Sequence, residues 1–248
     1  MDIIGAFEEK IKMNEIMPLW ETYKFDLGKV LKYTNSNINK ANLILDEILE
    51  DEEKICLEQA FFGDDGWYKR INGKGMNELK LAAMSLGLTN DIFTFDSKKE
   101  QKILEDLEGI DLKKQEIMIR CYLKQKLVTY VTLVKYLSDV KKTNDLSLVL
   151  YRGINTSKPA KKYFCNGLES WTLNYNTALQ FARTEGYIIR KKYPVLQIFT
   201  GFRSSFKNRS QPQFRNNGFY VRREKEMIVE NVEKSFDIND VLAMEEYV

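Results

Sequence analysis

Two glutamates near the C-terminus, Glu224 and Glu226, have a spacing that could place two carboxylates on one substrate. The apolar residues 227–229 follow them directly and predict a buried strand. Because strand side chains alternate between the two faces, both carboxylates are expected on the same face at the beginning of this strand. Like charges on one face repel and cost stability, which makes the pair a candidate for acid–base or charge-stabilising chemistry. A solvated edge strand is the plainer interpretation if the pair is considered alone.

The absence of histidine excludes several classes of site. A Ser-His-Asp triad, a Cys-His dyad and a His-based zinc site all need an imidazole, so catalysis must use carboxylates, arginine, lysine, tyrosine, serine or threonine. The cysteines, Cys56, Cys121 and Cys165, are odd in number and far apart in sequence. They predict reduced, buried thiols rather than a disulfide framework or a metal site, and no metal is expected.

The net charge of +2 is distributed unevenly along the 248 residues. Residues 1–150 hold 22 basic and 26 acidic side chains, a net charge of −4. Residues 151–226 hold 15 basic and 4 acidic side chains, a net charge of +11, and residues 227–248 hold 1 and 6, a net charge of −5. A basic region of this density indicates a binding site for anionic ligands, such as a dinucleotide or a nucleic acid, rather than an ordinary scatter of surface lysines.

The composition, 44% apolar and 30% charged, is that of a globular protein with one large domain or two small ones. No run of about 18 apolar residues is present, so no membrane-spanning segment is expected. The acidic N-terminus lacks the basic and apolar regions of a secretory signal. The sequence therefore predicts a cytoplasmic protein without a membrane partner.

The elements that must position the candidate residues change character near residue 145. Periodicity predicts helices in the N-terminal part over residues 37–50, 51–62, 76–86, 97–107 and 111–142. Later apolar runs predict strands over residues 146–151, 195–202, 226–232 and 241–248, with a helix over 176–183 and a long basic loop over 204–218. The expected class is α+β, with a helical region, 1–145, and a β-rich region, 146–248. These regions form two domains or one domain with a helical cap.

Three stretches of the β-rich region occur in a recognisable order. Leu-Tyr-Arg-Gly places Arg152 at the end of a strand, Ser-Trp-Thr at 170–172 precedes a short helix that ends in Phe-Ala, and Glu-Lys-Glu at 224–226 follows the long loop. Their order and spacing resemble the arginine-serine-glutamate class of mono-ADP-ribosyltransferases, which includes bacterial toxins and phage enzymes. The resemblance covers about residues 146–248. It implies the catalytic fold of that class, NAD⁺ as substrate and release of nicotinamide. A toxin or a defence or host-takeover factor would fit, with an antitoxin or another regulatory partner.

The resemblance also implies roles for the matching residues. Arg152 would bind the pyrophosphate of NAD⁺ through the planar fork of its guanidinium. Glu226 would stabilise the oxocarbenium-like transition state at the ribose and accept a hydrogen bond from the 2′-hydroxyl. Ser170 would orient Glu226 and contact NAD⁺, with Thr172 in support. Glu224 would position or deprotonate the acceptor.

The class of the acceptor is left open. The loop 206–220 interleaves basic and aromatic residues, and Arg215, Phe219 and Tyr220 are expected to bind an acceptor beside Glu224, a composition suited to single-stranded nucleic acid. In the family that this chain resembles, by contrast, Glu-x-Glu goes with protein arginine acceptors. Protein arginine and an RNA or DNA base are therefore nearly equally supported as acceptors. Two alternatives come from other classes. They are an NAD⁺ glycohydrolase, in which water is the acceptor, and a non-catalytic nucleic-acid-binding module.

Overall fold

The structure is a computed structural model that describes residues 45, 47–62, 74–89, 105, 109, 111–156, 161–184, 186–201, 226–238 and 241–242. Its helices are α1 (Asp51–Phe62), α2 (Lys74–Ser85), α3 (Leu112–Asp139) and α4 (Tyr175–Ala182). Its strands are β1 (Ser147–Ile154), β2 (Lys162–Phe164), β3 (Leu168–Thr172), β4 (Tyr187–Pro194), β5 (Ile198–Gly201), β6 (Glu226–Glu230), β7 (Ser235–Asp237) and β8 (Val241–Leu242). Helices together with an antiparallel sheet confirm the predicted α+β class.

The helix α3 lies within the predicted span 111–142 and connects the helical region to the sheet. Its first turn is capped by Asp111, whose side chain accepts a hydrogen bond from the backbone N–H of Lys113 at 3.2 Å. Its buried side packs against α1, α2 and β5. There Tyr122 stacks on Phe199 with ring centroids 4.0 Å apart. One hydrophobic core therefore extends from α1 through α3 into the sheet.

The other helix predictions differ in their outcome. The helix over 51–62 is confirmed as α1, and the helix over 176–183 is confirmed as α4 with a shift of one residue. The helix α2 begins two residues before the predicted span 76–86, and Gly87 follows its end at a φ of 66°. The predicted helices over 37–50 and 97–107 lie mostly outside the described residues. The boundary near residue 145 stays a prediction.

The main sheet has the strand order β5-β6-β3-β1-β4-β8, and β2 pairs with β7 in a small second sheet. The strands β1 and β4 are paired along eight residues of each. By contrast, β1 and β3 share one cross-strand pair, Tyr151 with Thr172. Backbone pairing between β1 and β3 is therefore limited to this one position.

Several strand predictions are wrong in detail. The strand β4 is not predicted, because its basic residues interrupt the apolar pattern, and the short strands β2 and β7 are not predicted either. The predicted strand over 195–202 begins too early, since residues 195–197 form a 3-10 turn after Pro194 and β5 starts at Ile198. The strand β6 ends at Glu230, before the predicted end at 232, and the next side chain, Asn231, donates to the Asn166 carbonyl at 2.8 Å. Of the predicted strand 241–248, the structure describes β8.

The helix α4 packs closely on the sheet because β1 has a glycine beneath it. A Cβ atom at Gly153 would lie 1.9 Å from the carbonyl oxygen of Ala178 and 2.6 Å from the nitrogen of Ala182. Any larger residue would push the helix away from the strand. Since α4 begins at Tyr175, shortly after β3 ends, this close packing fixes the start of the helix beside the end of β3.

Candidate active site

Ser170 and Glu226 meet on one face of the sheet although 56 residues separate them in sequence. The antiparallel register pairs Thr172 with Glu226 and Ser170 with Ile228, so the Ser170 and Glu226 side chains project from the same face. The Ser170 hydroxyl donates a hydrogen bond to Oε1 of Glu226. Both residues are half-buried. The structure thus brings together the serine and the glutamate of two predicted motifs, in the middle of β3 and at the beginning of β6.

Thr172 lies directly opposite Glu226 and shapes the turn that leads to α4. Its hydroxyl oxygen accepts a hydrogen bond from the backbone N–H of Asn174 at 2.9 Å. The Asn174 side chain in turn accepts one from the N–H of Asn176 at 3.1 Å and caps α4. This buried residue therefore fixes the chain immediately after Ser170 and Glu226 meet, and its predicted contact with NAD⁺ stays a prediction.

Arg152 approaches the same place from the opposite face. Since its neighbour Tyr151 is paired with Thr172, alternation along β1 places Arg152 on the face that also carries Glu169. Its Nη1 donates to the carbonyl oxygen of Ser170, and its Nη2 lies 3.3 Å from Oε1 of Glu169. The guanidinium thus links β1 to β3 beyond their single cross-strand pair. The predicted contact of Arg152 with pyrophosphate stays a prediction.

Glu169 is a buried carboxylate that sequence reasoning missed as a functional candidate. It accepts hydrogen bonds from the Tyr163 hydroxyl at 2.7 Å and from the Trp171 indole N–H at 3.2 Å. Burial, reinforced by Glu169, raises the pKa of Tyr163 above its ordinary value although Arg152 opposes the shift. Burial alone would lower the pKa of Arg152, but Glu169 together with Tyr163 and Tyr193 outweighs burial and raises it. The signal for Glu169 in the sequence is its position immediately before the Ser-Trp-Thr stretch.

A second buried network fixes the far end of β6. Glu230 accepts a hydrogen bond from the Tyr122 hydroxyl at 2.7 Å and forms an ion pair with Lys126. Lys126 also donates to the carbonyl oxygen of Leu196 at 2.6 Å. Burial lowers the pKa of Lys126, and Glu230 opposes that shift. Sequence reasoning missed both charged residues, which lie in apolar stretches of β6 and α3.

The basic region predicted from composition has its densest described part on β4. Arg190, Lys191 and Lys192 follow one another there and line an open groove. The ammonium of Lys191 lies 3.7 Å from the centre of the Phe236 ring, and burial lowers its pKa. Lys192 forms an ion pair with Asp145 at 2.7 Å. By alternation, Arg190 and Lys192 project from one face of the sheet and Lys191 from the other.

The predicted acceptor residues, Glu224, Tyr220, Phe219 and Arg215, lie outside the described residues, as does the loop 206–220. Their roles stay predictions. No helix among the residues that the structure describes is long and apolar enough to cross a membrane. Compared with models of protein families, with curated proteins and with solved structures, the chain matches none of them.

Proposed function

We propose that this chain is an NAD⁺-dependent mono-ADP-ribosyltransferase. The observation that carries the proposal is the hydrogen bond from Ser170, in the middle of β3, to Glu226, at the beginning of β6. Arg152, from the first motif, donates a hydrogen bond to the Ser170 carbonyl from the neighbouring strand. Each motif alone is a weak signal. Their meeting in one part of the sheet, from sequence separations of 18 and 56 residues, supports a common purpose.

In this proposal Glu226 supplies negative charge where the reaction develops positive charge. The bond between ribose C1′ and the nicotinamide nitrogen breaks, its electron pair leaves with nicotinamide, and C1′ becomes oxocarbenium-like. A carboxylate already held by Ser170 needs little reorganisation, so its interaction strengthens most in the transition state. The acceptor then forms a bond to C1′ and gives up a proton, a step that Glu224 would assist.

Two classes of acceptor fit this chain. The Glu-x-Glu spacing supports protein arginine, whereas the net charge of +11 over residues 151–226 supports an RNA or DNA base. Part of that charge would serve the pyrophosphate of NAD⁺. The three cysteines are buried free thiols, which supports action in a reducing cytoplasm. The family resemblance supports a role as a toxin or as a defence or host-takeover factor.

Label transfer from tagged NAD⁺ into a cell lysate, separated into protein, RNA and DNA, tests the proposal. We expect label in one macromolecular fraction with the wild type and with Glu233→Gln, a matched change at an exposed glutamate after β6. Glu226→Gln should transfer none. Full transfer by Glu226→Gln would contradict the catalytic role assigned to Glu226. Nicotinamide release with no labelled macromolecule would identify a glycohydrolase, and nucleic-acid binding without nicotinamide release would identify a non-catalytic module.

The role of Glu224 has its own test, which compares two activities of one variant. Glu224→Gln should reduce label transfer more than it reduces NAD⁺ hydrolysis, because the acceptor needs positioning and water does not. Nicotinamide release and label incorporation are measured in the same samples. An equal loss of both would remove the acceptor-side role of Glu224.

A further inference from the structure

A row of four side chains crosses the main sheet on the face that carries Ser170. Tyr151 of β1 is paired with Arg190 of β4 on one side and with Thr172 of β3 on the other. Thr172 is in turn paired with Glu226 of β6. Directly opposed residues of antiparallel strands project from the same face. Three strand spacings of about 4.8 Å put the Cα atoms of Arg190 and Glu226 about 14 Å apart.

The row combines side chains that can contact the phosphates, the rings and the ribose of a dinucleotide. Arg190 is exposed, and Tyr151 and Glu226 are half-buried. The helix α4 borders the row, and its first residue, Tyr175, meets Tyr151 edge to face with ring centroids 5.7 Å apart. A cation, an aromatic ring and a carboxylate therefore lie along one line of the sheet, with the ring of Tyr175 beside that line.

Arg152 does not belong to this row. It projects from the opposite face, where Glu169 and the Ser170 carbonyl engage its guanidinium. The described arginine in line with Glu226 is Arg190. A ligand whose ribose lies at Glu226 can extend along the row toward Arg190, whereas reaching the guanidinium of Arg152 would require passing between β1 and β3.

We propose that this row is the binding track of the dinucleotide and that Arg190 binds its phosphate groups. The inference rests on the proposed function for the identity of the ligand. The nicotinamide ribose lies at Glu226, the ligand packs against Tyr151 and Tyr175, and the Arg190 guanidinium donates two parallel hydrogen bonds to phosphate oxygens. Arg152 is then a positioning residue that holds β3.

Titration calorimetry with ADP-ribose tests the track, because ADP-ribose keeps the pyrophosphate and both riboses but has no nicotinamide to lose. Arg190→Ala should weaken binding by about 10-fold or more, the loss expected for a charge-assisted contact. Lys192→Ala is the matched control: it removes the same charge from an exposed position on the same strand and face, but Asp145 holds its amine at 2.7 Å. Its affinity for ADP-ribose should stay within about 2-fold of the wild type.

Each outcome decides for or against the track. Unchanged binding by Arg190→Ala, an equal loss in Lys192→Ala, or a wild-type chain that binds neither ADP-ribose nor NAD⁺ overturns the inference. Binding that depends on Arg190 in a chain that transfers no label keeps the inference and overturns the proposed function. Arg190→Gln keeps the stem of the side chain and should show the same loss, so it replaces the alanine variant if that variant fails to fold.

Discussion

The strand β6 begins and ends with glutamate, and its two ends are built differently. Glu230 is 2% exposed and is held by Tyr122 and Lys126 of α3. Glu226 is half-buried and accepts a hydrogen bond from Ser170 of the adjacent strand. The two glutamates are four residues apart and therefore project from the same face. Burial and partner, rather than residue type or strand, separate a carboxylate that stabilises the fold from one suited to chemistry.

The closed end of β6 depends on both charges of its ion pair. Burying a carboxylate or an ammonium costs several kcal/mol, and the attraction between them offsets that cost when both are present. Glu230 and Lys126 are each 2% exposed, so neither is compensated by water if its partner is removed. Four experiments test the roles of these buried and half-buried charges.

Glu230→Ala should lower the free energy of unfolding by about 3–5 kcal/mol, because it leaves Lys126 charged and buried without its carboxylate. Urea unfolding followed by circular dichroism at pH 7 measures the loss. The double variant Glu230→Leu with Lys126→Met removes both charges and should recover most of it. A loss below about 1 kcal/mol in the single variant would show that the ion pair does not close this end of β6.

Glu226→Gln should impair label transfer and leave the free energy of unfolding almost unchanged. We expect its free energy of unfolding to stay within about 1 kcal/mol of the wild type, because the amide oxygen still accepts from Ser170. Its transfer rate should fall by at least about 100-fold, since the amide cannot stabilise positive charge at the ribose. Urea unfolding and label transfer on the same preparation give both values. A stability loss as large as that of Glu230→Ala would make Glu226 a structural residue.

Glu169→Gln tests the link that holds Ser170 from the other face. The amide still accepts from Tyr163 and Trp171 but lacks the charge that pairs with Arg152. We expect kcat for label transfer to fall about 10-fold with KM for NAD⁺ within about 2-fold, because orientation at the site is lost while the binding track remains. Arg190→Ala should instead raise KM. The same change in KM for both variants would contradict the division of roles between the two faces.

The sequence predicts the elements whose patterns are local. Helical periodicity locates α3, and the apolar run after Glu226 locates β6. The motif order also selects Ser170 and Glu226, which the antiparallel register then brings into contact. The positions of α3 and β6 could be predicted because their side chains repeat with the period of their own helix or strand.

The remaining features depend on register, which the sequence does not encode locally. The face that Arg152 occupies follows from the single pair of Tyr151 with Thr172, and a shift of one residue would reverse it. The buried positions of Glu169 and Glu230 depend on partners that are distant in sequence. Glu169 pairs with Arg152, 17 residues earlier, and Glu230 pairs with Lys126, 104 residues earlier. Carboxylates are read as surface residues until such a partner is known.

The last experiment concerns Lys80 of α2, a buried amine whose charged form is favoured by the negative charge of Glu169. Burial lowers the pKa of Lys80 to about 8, and Glu169 opposes the shift. In the unfolded chain a lysine titrates near about 10.4, so the unfolded chain binds more protons between about pH 8 and pH 10. The contribution of Lys80 to the free energy of unfolding therefore rises with pH across that window, and below it the folded chain bears the cost of a buried charge. Lys80→Met removes that charge and should be more stable than the wild type at pH 7, and the difference should shrink toward pH 10. Urea midpoints of both proteins at the two pH values measure this, and an offset that is the same at both would mean that Lys80 does not titrate in the window.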